Sequence, residues 1–273
     1  MKNNFYKINA LNGVEFYKNK LLEESKLVNH GFSTKIGGVS KNAYSSLNLG
    51  INTDDLDLNV RNNFYLFTEA IGTKLESLVL SDQVHSDKIH TVEYKDCGKG
   101  IIYNSDIKGV DALITNKRNV ALATFYADCT PILMLDTVKK VIASVHSGWR
   151  GTLLRISQKT VNKMVKEYDS DPKNIICVIG PSIKSCHFEV GKEVFDEFKD
   201  VFGEEAILNS YFKNDKYYIN TDALNVISLK KAGIVDENIS VCPLCTYCNN
   251  NLFFSHRADK GKTGRMCAVI ELK

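Results

Sequence analysis

The sequence predicts an α+β protein, on three observations. Short β-rich runs and amphipathic stretches are mixed without the regular strand–helix–strand alternation of a doubly wound parallel sheet. Two of the runs, PILMLD at 131–136 and VIASVHS at 141–147, are separated only by TVKK. So short a connection forces an antiparallel hairpin rather than a parallel crossover. Third, 273 residues at 44% hydrophobic and 25% charged supply the apolar side chains for a substantial core. No repeat, low-complexity tract or Gly/Ser/Pro linker marks a boundary, so 1–273 is expected to be a single domain.

The elements follow in chain order. FSTKIGGVSKNAYSSLNLGINTDD at 32–55 is rich in Gly, Ser and Asn and reads as a long ordered loop, where ligands tend to be met. Residues 60–71 read as a helix, 77–84 as a strand ending at QVHS, and 88–94 as another strand. VDALIT at 110–115 and VALATFYA at 120–127 join the two hairpin runs as short strands. Apolar residues at 153, 154, 161, 164, 165 and 168 fall on one face of a helix spanning 152–168. IICVIGPSI at 175–183 reads as a buried strand ending in a Gly-Pro turn. Residues 190–202 and 221–232 read as helices, 217–220 as a short strand, and the C-terminal segment from NNLFFS onward as strand, loop, strand.

Composition excludes several classes of function. The formal net charge is +3 and the lysines are scattered, so no focused basic face suits a nucleic acid. Apolar runs are strand-sized, short of the roughly 20 residues a membrane span needs. MKNNFYKINALNGVEFY lacks the apolar core and cleavage site of a signal peptide, so a cytoplasmic protein is expected. The eight cysteines are accordingly expected to be reduced thiols rather than disulfides.

One end of the hairpin gathers reactive groups. Pairing Leu135 with Val141 sets Cys129 opposite residue 147, within a position of His146. A cysteine nucleophile with a histidine base is one chemistry that fits. A metal site is another, with His85 of QVHSDKIH as third ligand and His90 also at hand. One Cys and two His leave a fourth position for water, the open coordination of catalytic zinc, on which the water pKa falls toward about 7. A third reading makes Cys129 a small buried residue and the histidines ordinary core or surface groups.

QVHS at 83–86, ADCTP at 127–131, SVHSGWRGT at 144–152, GPSI at 180–183 and FEVG at 188–191 occur in that order, followed by FFSHR at 253–257 and GKTGRM at 261–266. FSTKIGGVS, SLNLG and VDALIT precede or accompany them. With these motifs the chain, from about residue 30 to its end, resembles the YfiH/YlmD family. That family was first labelled laccase-domain or multicopper polyphenol oxidoreductase and is now described as purine nucleoside phosphorylase. The resemblance implies a layered sandwich of mixed and antiparallel sheets flanked by helices, with zinc held by His85, Cys129 and His146. It implies phosphorolysis of adenosine, inosine, guanosine and methylthioadenosine in purine salvage, deamination of adenosine to inosine, and a homodimer in some members. Copper is not expected, because six histidines are too few for a blue-copper centre together with a trinuclear cluster.

The chemistry of these reactions assigns further candidates. Asp128 either shuttles a proton or acts as a structural carboxylate, since neighbouring strand residues point to opposite faces. For the phosphate, the turn HSGWRGT offers close backbone approach at Gly148 and Gly151, free amides at the helix start and a fork from Arg150. Arg257 and Arg265 are candidates for phosphate or ribose contacts, and Asn48 either hydrogen-bonds substrate or shapes its turn. Trp149 is expected to fill a core rather than stack on a base. Asn63 and Phe64 stand where the family commonly shows Asn-Arg, Ser86 where Gly is frequent and Phe188 where Tyr is frequent, which puts substrate contacts at Phe64 and Phe188 in doubt. CPLCTYC, with Cys242, Cys245 and Cys248, looks like a metal knuckle lacking its second pair, with His256 or Cys267 as possible completing ligands. Two other functions compete: a cysteine-dependent amide hydrolase editing cell-wall (peptidoglycan) precursors, and a non-catalytic binding protein whose pocket zinc organises.

Overall fold

A computed structural model describes residues 4–273. In chain order the first half comprises β1 (Phe5–Asn9), β2 (Glu15–Asn19), α1 (Lys20–Glu24), β3 (Val28–Ser33), α2 (Asp57–Ile71), β4 (Leu78–Leu80), β5 (Ile89–Thr91), β6 (Ala112–Thr115), β7 (Ala121–Tyr126) and β8 (Thr130–Asp136). There follow β9 (Val141–Ser147), α3 (Trp149–Leu153), α4 (Ile156–Tyr168), β10 (Ile175–Ile179), β11 (Glu189–Val190) and α5 (Lys192–Phe202). The chain closes with α6 (Glu204–Leu208), β12 (Ser210–Lys213), β13 (Lys216–Ile219), α7 (Thr221–Lys231), β14 (Ile239–Val241) and β15 (Met266–Leu272).

Two six-stranded mixed sheets form the body, in the orders β1-β2-β3-β15-β7-β4 and β14-β10-β8-β9-β6-β5, with a small third sheet β11-β13-β12. Alternation along each strand decides how they stack. Leu122 and Tyr126 of β7 and Ile270 of β15 share one cluster with Leu133 and Leu135 of β8 and Ile142 of β9, so the two large sheets face each other across it. The opposite face of the first sheet, through Ala121, Ala123 and Val269, meets Val60, Phe64, Phe67 and Ile71 of α2. That of the second, through Ile132, Met134 and Ala143, meets Ile156, Val161 and Met164 of α4 and Val226 and Leu229 of α7. The result is a four-layer helix/sheet/sheet/helix sandwich, as expected. Strands covered on both faces must be apolar throughout, which is why 121–126 and 130–136 are buried at every position. Each such Leu or Phe contributes about 1.5–3 kcal/mol on burial.

The β8–β9 hairpin is antiparallel as expected, but shifted by one: Leu135 faces Ile142, Asp136 faces Val141 and Thr130 faces Ser147. Three other expectations are corrected. The helix expected over 152–168 is two, α3 and α4, because Arg155 takes a left-handed φ of 55° between them. Its guanidinium donates to the Val201 carbonyl at 2.6 Å and stacks 5.3 Å from the Phe202 ring, anchoring the break on α5 where no Gly or Pro announces it. The strand expected over 77–84 stops at Leu80. Beyond it the Gln83 side chain accepts from Phe125 N at 2.6 Å and donates to Phe125 O at 2.8 Å. A side-chain amide thus replaces a backbone rung, and the main chain is free to turn toward the site. Residues 252–255 form loop rather than strand.

Candidate metal centre

Three segments converge where the strands end. His85 lies in the turn after β4 at φ 63°, a conformation uncommon outside Gly. Three consecutive amides pin that turn: Val84, His85 and Ser86 N–H donate to the Asp111 carboxylate at 3.2, 3.0 and 2.7 Å, and Ser86 Oγ adds a bond at 2.8 Å. His146 stands on β9, 3% exposed, with Nδ1 2.8 Å from Asp111 Oδ1. Cys129 immediately precedes β8, following Asp128 at φ 89°. Asp111 therefore holds one histidine by its ring and the other by its backbone.

Cys129 Sγ lies 3.7 Å from His85 Nε2, the two imidazole centroids are 4.9 Å apart, and the three donor atoms are all within 4.8 Å of one another. Burial alone would raise the Cys129 thiol, but His146 and His85 outweigh it and bring its pKa down to about 6. His146 moves oppositely: burial disfavours its cation, yet Cys129 and Asp111 raise it to about 9. Asp111 is buried, which opposes its charge, but His146 and the Ser86 donors keep its pKa below the ordinary value. With Nδ1–H given to Asp111, His146 offers Nε2 as a ligand. One thiolate and two imidazoles suit a borderline-soft divalent ion with an open position.

The turn after His146 is built for close approach. A Cβ on Gly148 would stand 2.5 Å from His85 Cδ2 and 3.3 Å from Cys129 Sγ. Beneath it, Thr152 Oγ1 donates to the Gly148 carbonyl at 3.0 Å, and Ser147 Oγ donates to Asn225 Oδ1 of α7 at 3.0 Å.

His85, Cys129 and His146 open into a cavity of about 490 Å³, within the size range of small-molecule sites. Phe125, Tyr126, Trp149 and Phe188 supply aromatic wall; Asn52, Thr53, Thr130 and Thr221 supply polar groups; Arg257 and Arg265 supply positive charge. Arg265 is half-buried, which lowers its pKa, against the opposing pull of Cys129 and Asp128.

Other expected residues fall in different places. Asp128 lines the cavity, but Oδ1 accepts from Thr246 Oγ1 at 2.6 Å and Oδ2 from Arg257 N–H at 2.7 Å, so it acts as a brace. Asn48 does not line the cavity: fully buried, it donates to Thr53 and Asp55 and accepts from Gly50 and Arg265 N–H, which makes it the clasp of its loop. Arg150 is exposed and stacked on Trp149 at 4.3 Å, outside the cavity wall, because it sits on the outer side of α3. Gly151 is buried within α3 with nothing nearer than 3.4 Å to an added Cβ, so no close approach demands it. Trp149 both lines the cavity and packs against the α5 cluster. Phe64 is a core residue against Phe125, whereas Phe188 is cavity wall. His90 stands apart on β5, 3.5 Å from Asp96.

CPLCTYC also resolves differently. Cys242 is buried apart, Cys267 is buried in β15 and His256 lines the cavity, while Cys245 and Cys248 meet Cys186 and His187. Asp111 is the site residue the sequence reading missed; its one signal is a carboxylate directly before the apolar stretch ALI in VDALIT.

Comparison with known proteins agrees with this architecture. Residues 29–273 match the family model described as multi-copper polyphenol oxidoreductase laccase. Purine nucleoside phosphorylase YlmD of Bacillus subtilis is 36% identical over 252 residues, covering 92% of this chain and 91% of that protein. The crystal structure of the hypothetical protein YfiH from Bacillus licheniformis superposes with a TM-score of 0.92 at 34% identity, covering 100% of both chains. That of YlmD from Geobacillus stearothermophilus gives 0.85 at 34% identity over 90% of this chain and 92% of that one. On both sequence and fold, the chain belongs to the YfiH/YlmD laccase-domain family.

Proposed function

We propose that the protein is a zinc-dependent purine nucleoside phosphorylase that also deaminates adenosine, acting on adenosine, inosine, guanosine and methylthioadenosine. The observation that carries this is one cavity joining an open His85/Cys129/His146 donor set to aromatic walls and two arginines. The name carried by the Bacillus subtilis relative supports the phosphorylase half.

His85, Cys129 and His146 would hold the zinc, which would supply Lewis acidity in the cavity. Cys129 is a ready ligand because its thiol ionises near pH 6. Asp111 keeps His146 in the tautomer that presents Nε2. Trp149 and Phe188 give a purine flat surfaces to rest on. Arg257 and Arg265 hold phosphate where one of its oxygens forms a bond to ribose C1′ as the bond to purine N9 breaks, the electron pair leaving with the base. For deamination, water adds at purine C6 and ammonia leaves; Asp128 is committed to Thr246 and Arg257 and positions the Cys129 segment rather than moving protons.

A second reading draws on the Cys129 and His146 titrations. A thiol near 6 beside an imidazole near 9 is also the charge pattern of a cysteine nucleophile, the chemistry of an amide hydrolase acting on cell-wall precursors. Product chromatography from zinc-loaded protein and adenosine, with and without phosphate and beside Cys129→Ala, separates the readings. Adenine formed only with phosphate establishes phosphorolysis, and inosine in either condition establishes deamination. Neither product, with metal-free amide hydrolysis blocked by alkylating Cys129, overturns the proposal for the hydrolase. Nucleoside binding with no turnover leaves a zinc-organised binding protein.

A further inference from the structure

We propose that Cys186, His187, Cys245 and Cys248 form a second, closed metal site that takes zinc and clamps two loops bordering the cavity. Their donor atoms lie within 4.8 Å of one another. Cys186 Sγ and Cys248 Sγ are 3.7 Å apart, and His187 Nδ1 is 3.2 Å from the first and 3.3 Å from the second. Tetrahedral zinc with Zn–S of about 2.3 Å and Zn–N of about 2.0–2.1 Å sets S···S edges of about 3.8 Å and S···N edges of about 3.5 Å. A disulfide would instead bring two sulfurs to about 2.05 Å. Cys186, His187 and Cys248 already stand near the spacing an ion imposes, and Cys245 Sγ lies within 4.8 Å of all three.

The surroundings are those of a ligand set. The His187 ring is stacked on Tyr247, centroids 3.9 Å apart and 16° from parallel, which fixes its Nδ1 toward the sulfurs. Lys184 N–H points at Cys245 Sγ at 3.5 Å, a bond that supports thiolate charge. Three cysteines and one histidine fill four positions with protein donors, the closed arrangement of structural zinc, in contrast to the three-donor set at His85, Cys129 and His146.

Both jaws of the clamp reach the cavity. Phe188, next to His187, is cavity wall. Thr246, between Cys245 and Cys248, donates to Asp128, the neighbour of Cys129. Metal at the second site thus fixes the Phe188 wall against the Cys129 segment, whatever reaction the cavity carries out.

The test counts metal on the full-length protein, loaded with zinc and freed of excess by gel filtration. Elemental analysis is expected to give two zinc ions per chain, and one in the double variant His85→Ala/Cys129→Ala. Cobalt(II) loaded into that double variant is expected to show intense thiolate-to-metal charge transfer with the visible bands of tetrahedral coordination, and Cys248→Ser added to it is expected to remove them. Because the double variant leaves all four proposed ligands in place, a folding failure of Cys248→Ser does not blunt the test. A double variant that binds no metal, or a Cys186–Cys248 disulfide found by mass spectrometry of freshly purified protein, overturns the assignment.

Discussion

Asp111 Oδ1 lies 2.8 Å from His146 Nδ1, and the same carboxylate collects the backbone N–H groups of Val84, His85 and Ser86. One buried anion thereby sets the tautomer of one candidate metal-binding histidine and the backbone of the other. Asp111→Asn keeps the shape but replaces one acceptor oxygen by a donor. Partners of this kind are worth about 10- to 100-fold in metal affinity, and a loss of that size is expected from zinc competition with a chromophoric chelator. Unchanged affinity would mean that the ligands orient themselves.

Gly148 and Gly151 stand three apart in the same turn and are expected to respond oppositely. The Cβ of Gly148→Ala would meet His85 Cδ2 at 2.5 Å, so the His85 ring must leave its place. Zinc content at the first site and activity should fall together. Gly151→Ala meets nothing closer than 3.4 Å and sits in a helix, where Ala is favoured over Gly by up to about 1 kcal/mol. Its melting temperature and metal content should equal or exceed those of the parent; equal damage in both variants would refute the contact argument.

That His85, Cys129 and His146 come together was legible because each is embedded in a motif and because a four-residue connection dictates a hairpin, which brings the neighbourhoods of Cys129 and His146 together even with the register off by one. Asp111 was not, since a lone aspartate before a buried strand carries no mark of what its carboxylate will hold. Arg150 reads as an anion ligand from spacing alone, yet the short α3 turns it outward onto Trp149. The partners of CTYC lie some sixty residues upstream. Parallel pairing of β10 with β14, Cys177 against Ile239, sends both following loops off the same end of the sheet, where a bridge between Ser182 and Cys245 brings them together. Long-range pairing of that kind leaves no local trace in a sequence.

The arginines separate cavity wall from outer surface. Arg265 is half-buried and lines the cavity, whereas Arg150 is exposed outside its wall, so under the proposed function phosphate falls to Arg265 rather than to Arg150. A charge-assisted hydrogen bond is worth about 1.5–3 kcal/mol, so Arg265→Ala should weaken kcat/KM for phosphate by roughly 10- to 100-fold. Arg257→Ala should act in the same direction, less strongly because it also serves Glu189. Arg150→Ala removes only an exposed stack on Trp149 and should change kcat/KM by less than about threefold. Initial rates at varied phosphate decide it; an Arg150→Ala loss exceeding that of Arg265→Ala would return the anion site to the HSGWRGT turn.

His30, on β3 and not among the residues that line the cavity, should govern part of the acid sensitivity of the fold. It is fully buried, and Asn19 N–H donates to its Nε2 at 3.0 Å, a bond that requires the neutral ring. Burial, aided by the Lys18 charge, lowers its pKa from 6.5 to about 3. Between those values the unfolded chain binds a proton that the native protein does not. Stability from this group is therefore complete above pH 6.5 and declines as the pH falls toward 3. The limiting slope is about 1.4 kcal/mol per pH unit. His30→Gln preserves an acceptor for Asn19 but cannot titrate. Urea unfolding of both proteins between about pH 7 and 4.5 should show the variant less stable at neutral pH, with the difference shrinking as acid is added, because the other titrating groups are shared. A constant offset across that range would mean that His30 is protonated in the folded state or that its environment opens before it titrates.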